Sequence, residues 1–181
     1  MMQNVASTIA HIAGLLLLAI AAQAARADDA CIEFAWDVRA EHLIFAMQPK
    51  ALAAGSDRAG APAVGLDRLY QLHLAKQADV QFATPPGARE MRPDSYAGLV
   101  QLQVAVPGAY RIAADQPLWI DVAFNGALLK PQDFQGRRGC TSPHKIVEFV
   151  LPMGVQLTVQ ISNAANADVR LSITPSQDGS H

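Results

Sequence analysis

Residues 155–161, Val-Gln-Leu-Thr-Val-Gln-Ile, alternate apolar and polar side chains without a break. A β-strand points successive side chains to opposite faces. Val155, Leu157, Val159 and Ile161 then share one face, and Gln156, Thr158 and Gln160 the other. The segment reads as a strand with one oily face and one wet face.

The rhythm continues in both directions. Downstream, 168–174 groups Val169, Leu171 and Ile173. Upstream, 146–151 groups Val147, Phe149 and Leu151, with Glu148 outward, and 118–124 groups Leu118, Ile120, Val122 and Phe124. Residues 109–114 align Tyr110 and Ile112, and 99–106 align Val100, Leu102, Val104 and Val106. Residues 79–84 pair Val80 with Phe82, and 69–74 align Tyr70, Leu72 and Leu74. Turn signals separate these runs: Pro107-Gly108, Asn125-Gly126, Pro152-Met153-Gly154 and the polar stretch 163–168. About eight short strands with tight connections predict an all-β fold, an antiparallel β-sandwich of jelly-roll type, with a closed barrel as the alternative. Residues 36–47 fit either a helix with Val38 and Phe45 inward or two further strand segments. The lack of helical continuation after Met47 favours strand. Three segments read as loops: 48–65, 84–98 and 126–144.

The chain has 181 residues, enough for one domain. A formal charge of −2, only 17% charged residues and no basic cluster larger than a pair exclude a nucleic-acid footprint. Ile12 to Ala22 is an apolar run suited to the core of a secretory signal peptide and too short to span a bilayer. Small-residue cleavage signatures follow, and cleavage after Ala27 gives a signal peptide over 1–27 and one sandwich domain over 28–181. The mature protein is then periplasmic or secreted, with no transmembrane span. Asp28-Asp29-Ala30 before Cys31 lacks the pattern of a lipid-attachment site. Two cysteines in an oxidising compartment predict one disulfide, Cys31–Cys140.

The chemistry-bearing residues form no familiar motif. There is no G-x-S-x-G elbow, and Cys140 beside His144 reads as a half-cystine rather than a thiol nucleophile. No H-x-H, H-E-x-x-H or C-x-x-C spacing occurs, so no cofactor and no metal are expected. The one conceivable metal set joins His42, His144 and Glu148 from distant positions. Asp37 with Glu41, or Asp121 with Glu148, are the conceivable acid–base pairs. Trp119 lies on the wet side of its strand, where a loop covers it or a ligand uses it. Arg89, Arg92, Arg137, Arg138 and His144 sit on loops, where binding residues concentrate.

Residues 106–126 and 145–174 together resemble the bacterial pre-peptidase C-terminal (PPC) type of β-sandwich. The likeness is a Gly-x-Tyr strand after a turn, a strand–turn–strand pair and a closing strand of alternating aliphatics. It covers roughly 99–174 and includes no catalytic motif. The resemblance implies a non-catalytic appendage of a secreted enzyme, and these residues carry no protease motif of their own. The whole chain also resembles short exported proteobacterial proteins, some of which carry the name homogentisate 1,2-dioxygenase. That enzyme is much longer and has a clustered iron site, and neither is visible in this sequence.

The sequence thus points to an exported binding or accessory protein without catalysis. Its partner would be a small molecule or an envelope protein, meeting Arg89, Arg92, Trp119, Arg137, Arg138 or His144. A metal-dependent oxygenase-like enzyme and an envelope structural or assembly subunit are the alternatives.

Overall fold

Burying the alternating apolar positions brings two sheets face to face. The computed structural model describes Cys31 and residues 34–176. The signal peptide expected over 1–27, with its expected cleavage site, falls outside the described residues. The strands are β1 (Lys50–Ala53), β2 (Ala63–Val64), β3 (Tyr70–His73), β4 (Ala75–Lys76), β5 (Tyr96–Leu102), β6 (Gly108–Ala114), β7 (Trp119–Phe124), β8 (Ala127–Leu128), β9 (Asp133–Gly136), β10 (Lys145–Leu151), β11 (Leu157–Ala164) and β12 (Asp168–Pro175). The first sheet runs β1-β3-β12-β6-β10-β9 and the second β2-β5-β11-β7-β8, with β4 also paired to β5.

Eight of these strands make the jelly roll. The order β3-β12-β6-β10 faces β5-β11-β7-β8, and every pair within each row is antiparallel. The expected count of eight holds for this nucleus, but the described residues form twelve strands. β1 and β9 extend the first sheet, and β2 and β4 flank β5. The β1–β3 and β2–β5 pairs are parallel, so the sheets are mixed rather than purely antiparallel. The segments read as loops over 48–65 and 126–144 therefore contain four short strands. Each has two to four residues, too few for alternation to register.

The inward positions match the alternation. Leu72, Val100, Leu102, Ile112, Val122, Val159, Ile161, Leu171 and Ile173 are fully buried in the shared core. Val106 is a correction: β5 ends at Leu102 and Val106 is exposed in the turn beyond. Residues 79–84 are a second correction. A 3-10 turn over Gln77–Asp79 precedes an extended run that joins no ladder. β5 is already flanked by β2, β4 and β11, which leaves this segment no strand edge there.

Residues 36–47 hold the third correction. Arg39–Phe45 form a helix, α1. Strand periodicity would put Leu43 and Phe45 on one face. Instead Glu41, Ile44 and Phe45 are buried at helical spacing, while Leu43 is 73% exposed. The helix starts where the Asp37 carboxylate accepts the Arg39 N–H at 3.1 Å. Hydrogen bonds from the Arg39 side chain and backbone hold the Asp37 carboxyl at about 2.

The outer faces were expected to be wet, yet much of each is covered. On the first sheet, the N-terminal strap carrying α1 packs Val38, Ile44 and Phe45 over Leu69, Ala113 and Ile146. On the second, the chain around 84–92 bonds to polar side chains of β7 and β11. The Thr84 backbone both donates to and accepts from the Gln160 amide at 3.0 Å. Arg111, Gln160, Ser172 and Thr174 are consequently buried although they face outward. Alternation gives direction but not cover, because irregular segments supply the cover.

Candidate functional site

Cys31 and Cys140 form the expected disulfide, with Cα atoms 5.2 Å apart. Neither cysteine is free, which removes the thiol reading of Cys140. The bridge ties the strap to the loop before β10. Three strap aromatics each meet an arginine of the sandwich: Phe34 faces Arg137, Trp36 faces Arg111 and Phe45 faces Arg170, at 5.6, 4.6 and 5.6 Å. Arg137, a candidate ligand contact, thus also braces the strap.

Beneath the strap, Arg111 joins two carboxylates. Its Nε donates to Glu148 at 3.1 Å, and its Nη1 lies 3.8 Å from Glu41. Nη1 also donates to the Asp37 carbonyl at 2.8 Å. Thr174 and Ser176 add hydroxyl donors to Glu41 and Glu148. Of the two conceivable acid–base pairs, Asp37 is bound to Arg39 while Glu41 is buried. Asp121 and Glu148 belong to strands of different sheets and bond to different partners.

His42, His144 and Glu148 do not converge. Among the described residues, no three His, Cys, Asp or Glu side chains are placed to hold a metal ion. His144 Nδ1 lies 3.2 Å from the Cys140 carbonyl oxygen. His42 Nε2 is buried without a hydrogen-bond partner.

Arg92 is committed to the loop. Its backbone N–H donates to Asn163 Oδ1 at 2.9 Å, and its guanidinium donates to the Asn163 carbonyl. Asn163, at a left-handed φ of 57°, also receives Gln77 Nε2 and donates to the Glu90 carbonyl. Arg89 and Arg138 are exposed.

The residues that do converge with Trp119 lie at the β7–β10 edge. Lys145 opens β10 on the inward side of its sheet, opposite Gly136 of β9. Its ammonium reaches between the sheets and donates to the Leu118 carbonyl at 2.8 Å. It stands 5.1 Å from the Trp119 ring centre and 6.0 Å from that of Phe134. Trp119 is 37% exposed and Phe134 66%. Both rings flank one half-buried cation, and both show apolar surface to solvent.

Trp119 is held in place. Its indole N–H donates to Asp121 Oδ1 at 2.9 Å, and Asp121 Oδ2 accepts the Gly87 N–H at 3.0 Å. A Cβ at Gly87 would stand 2.9 Å from Asp121 Oδ1 and 3.4 Å from the indole nitrogen. Only glycine lets the loop approach this closely. Burial pushes the Asp121 carboxyl up, against the pull of its two donors and of Lys145. Burial pushes the Lys145 ammonium down, opposed by Asp121. The choice between loop cover and exposure for Trp119 resolves as both: the loop fixes one edge, and part of the ring stays open.

Phe134, Lys145, Asp121 and Gly87 complete this site around Trp119. Phe134 sat within a stretch read as loop, and nothing in the sequence marked Gly87. The chain matches no protein-family model, and no curated protein matches it.

Proposed function

We propose that the chain is an exported, periplasmic accessory protein that binds without catalysis. The Trp119–Lys145–Phe134 edge is its binding surface. One observation carries this reading: a partly exposed indole is locked by a mostly buried aspartate, which is itself locked by a loop N–H. Fixing a surface aromatic by a supporting shell is what recognition requires and what solubility does not. The disulfide fits an oxidising compartment. The PPC-like resemblance agrees with a non-catalytic appendage.

Nitrogen-15-labelled protein, titrated with fractionated envelope extract, tests the surface. The expected response is a shift of the Trp119 indole resonance that Phe134→Ala reduces. A response confined to other faces of the molecule would overturn the assignment. Osmotic-shock fractionation tests the compartment, where retention of the chain in the cytoplasm would overturn it.

A further inference from the structure

We infer that the Trp119–Lys145–Phe134 edge takes an acidic glycan, a chain of sugar rings carrying carboxylates. The inference rests on the binding reading above and names its ligand class. Three features of the edge select it. The Trp119 N–H is already engaged by Asp121, so its exposed surface is ring carbon and π-face. Phe134 offers the same kind of surface. The aromatic faces therefore suit the C–H face of a sugar ring and make no demand for a hydrogen-bonding base or peptide.

The second feature is spacing. Both ring centres lie within 6.0 Å of Lys145 Nζ, so they are at most about 11 Å apart. Two neighbouring sugar rings can reach both platforms. The edge is open rather than enclosed: Asp133, Phe134 and Gly136 of β9 are all exposed. A compact small molecule gains most of its affinity from a concave site that buries most of its surface. An open strand edge with separated rings suits an extended ligand instead.

The third feature is charge. Lys145 gives one hydrogen bond to the Leu118 carbonyl, and an ammonium has three donors. Asp121, held by Gly87 and Trp119, already acts on the Lys145 charge, and the exposed Asp133 accepts the Phe134 N–H at 2.8 Å, so the ligand is selected by the two remaining Lys145 donors and not by a surplus of positive charge. The remaining ammonium donors make stronger hydrogen bonds to a carboxylate than to a hydroxyl.

The test follows the two indole resonances of the full chain, oxidised and nitrogen-15 labelled, with Trp119→Phe for assignment. The probes are an oligogalacturonate, a cello-oligosaccharide of equal length and benzoate. The expected result is a Trp119 shift with the oligogalacturonate, at least about tenfold tighter than with the neutral oligomer. Lys145→Gln should weaken it about tenfold, and added salt should weaken it too. Phe134→Ala, at an exposed position that leaves the fold intact, should also weaken it. Equal affinity for the neutral oligomer would overturn the acidic class and leave the binding surface standing. Benzoate as the tightest ligand would overturn the extended glycan and leave the binding surface standing. Silence of Trp119 toward all three overturns the glycan inference, and the envelope-extract titration then decides the surface itself.

Discussion

Arg111 Nε donates to Glu148 Oε2 at 3.1 Å across neighbouring strands, on an outer face where sheet side chains ordinarily meet water. The strap covers the pair, and the Trp36 ring closes over the guanidinium at 4.6 Å. The arginine is 1% exposed, so its desolvation is offset by Glu148, Glu41 and the Asp37 carbonyl together.

Removing the guanidinium strands two carboxylates beneath the strap. Arg111→Ala should therefore lower unfolding free energy by about 3–5 kcal/mol, read as a shift of the urea midpoint. Replacing Arg111, Glu41 and Glu148 together by Met, Leu and Leu should cost far less, because no unpaired charge remains. If the triple variant is as unstable as the single one, packing rather than charge is what Arg111 contributes.

The Cys31–Cys140 bridge spans a sequence separation of 109 and fixes the start of that strap. The chain-entropy argument gives an upper contribution of about 4–5 kcal/mol for a loop of this size. Cys31→Ser should lower the melting temperature. Its hydrogen exchange should rise first where the strap covers Ala113 and Ile146. The oxidised, unfolded chain should titrate no thiol; two thiols under those conditions would count against the bridge.

The strand nucleus was legible because its signal is local. Val155 to Ile161 states its own orientation, and so do 118–124 and 168–174. α1 was not legible, since Leu43 and Phe45 satisfy a strand period as well as Ile44 and Phe45 satisfy a helical one. Only the packing of Ile44 and Phe45 against Leu69 and Ile146 decides between them. Trp119 was legible as an outward aromatic. Lys145 and Phe134 were not visible as its neighbours, because β7 and β9 belong to different sheets. Their meeting depends on how the sandwich edges close, which no single segment encodes. Arg92 looked like a free loop cation, and its commitment to Asn163 depends on a bulge in β11 between Ile161 and Ala164.

Asp121 gives the site a pH signature. Its folded carboxyl is raised above the ordinary value of 3.8, so the folded state holds the proton more tightly than the unfolded state. Its contribution to stability is fully present below that ordinary value and is lost as pH rises through the raised folded value. Lys145 is shifted the other way. Its contribution is present above 10.5 and is lost as pH falls through the lowered folded value. Both groups are thus least favourable to folding near neutrality. The melting temperature of the wild type relative to Asp121→Asn should therefore fall as pH rises across the acid range. A constant difference between pH 3 and 7 would show that Asp121 titrates as it does in the unfolded chain.

Gly87 separates the support of Trp119 from Trp119 itself. Its φ lies outside the left-handed region, so alanine meets no backbone strain there. The cost is steric: a Cβ at 2.9 Å from Asp121 Oδ1 must push the loop away and break the Gly87 N–H bond. Gly87→Ala should cost about 1 kcal/mol, the worth of one such bond, in a urea titration. Asp121 should then retain Trp119 as its one side-chain donor, and the indole N–H resonance should broaden or shift while that of Trp36 stays put. The test discriminates because Trp36 belongs to the strap over the other sheet. If both indoles move, the substitution has disturbed the fold. If neither moves, the loop does not hold Trp119 in place, and the exposed ring owes its orientation to Asp121 and Lys145 alone.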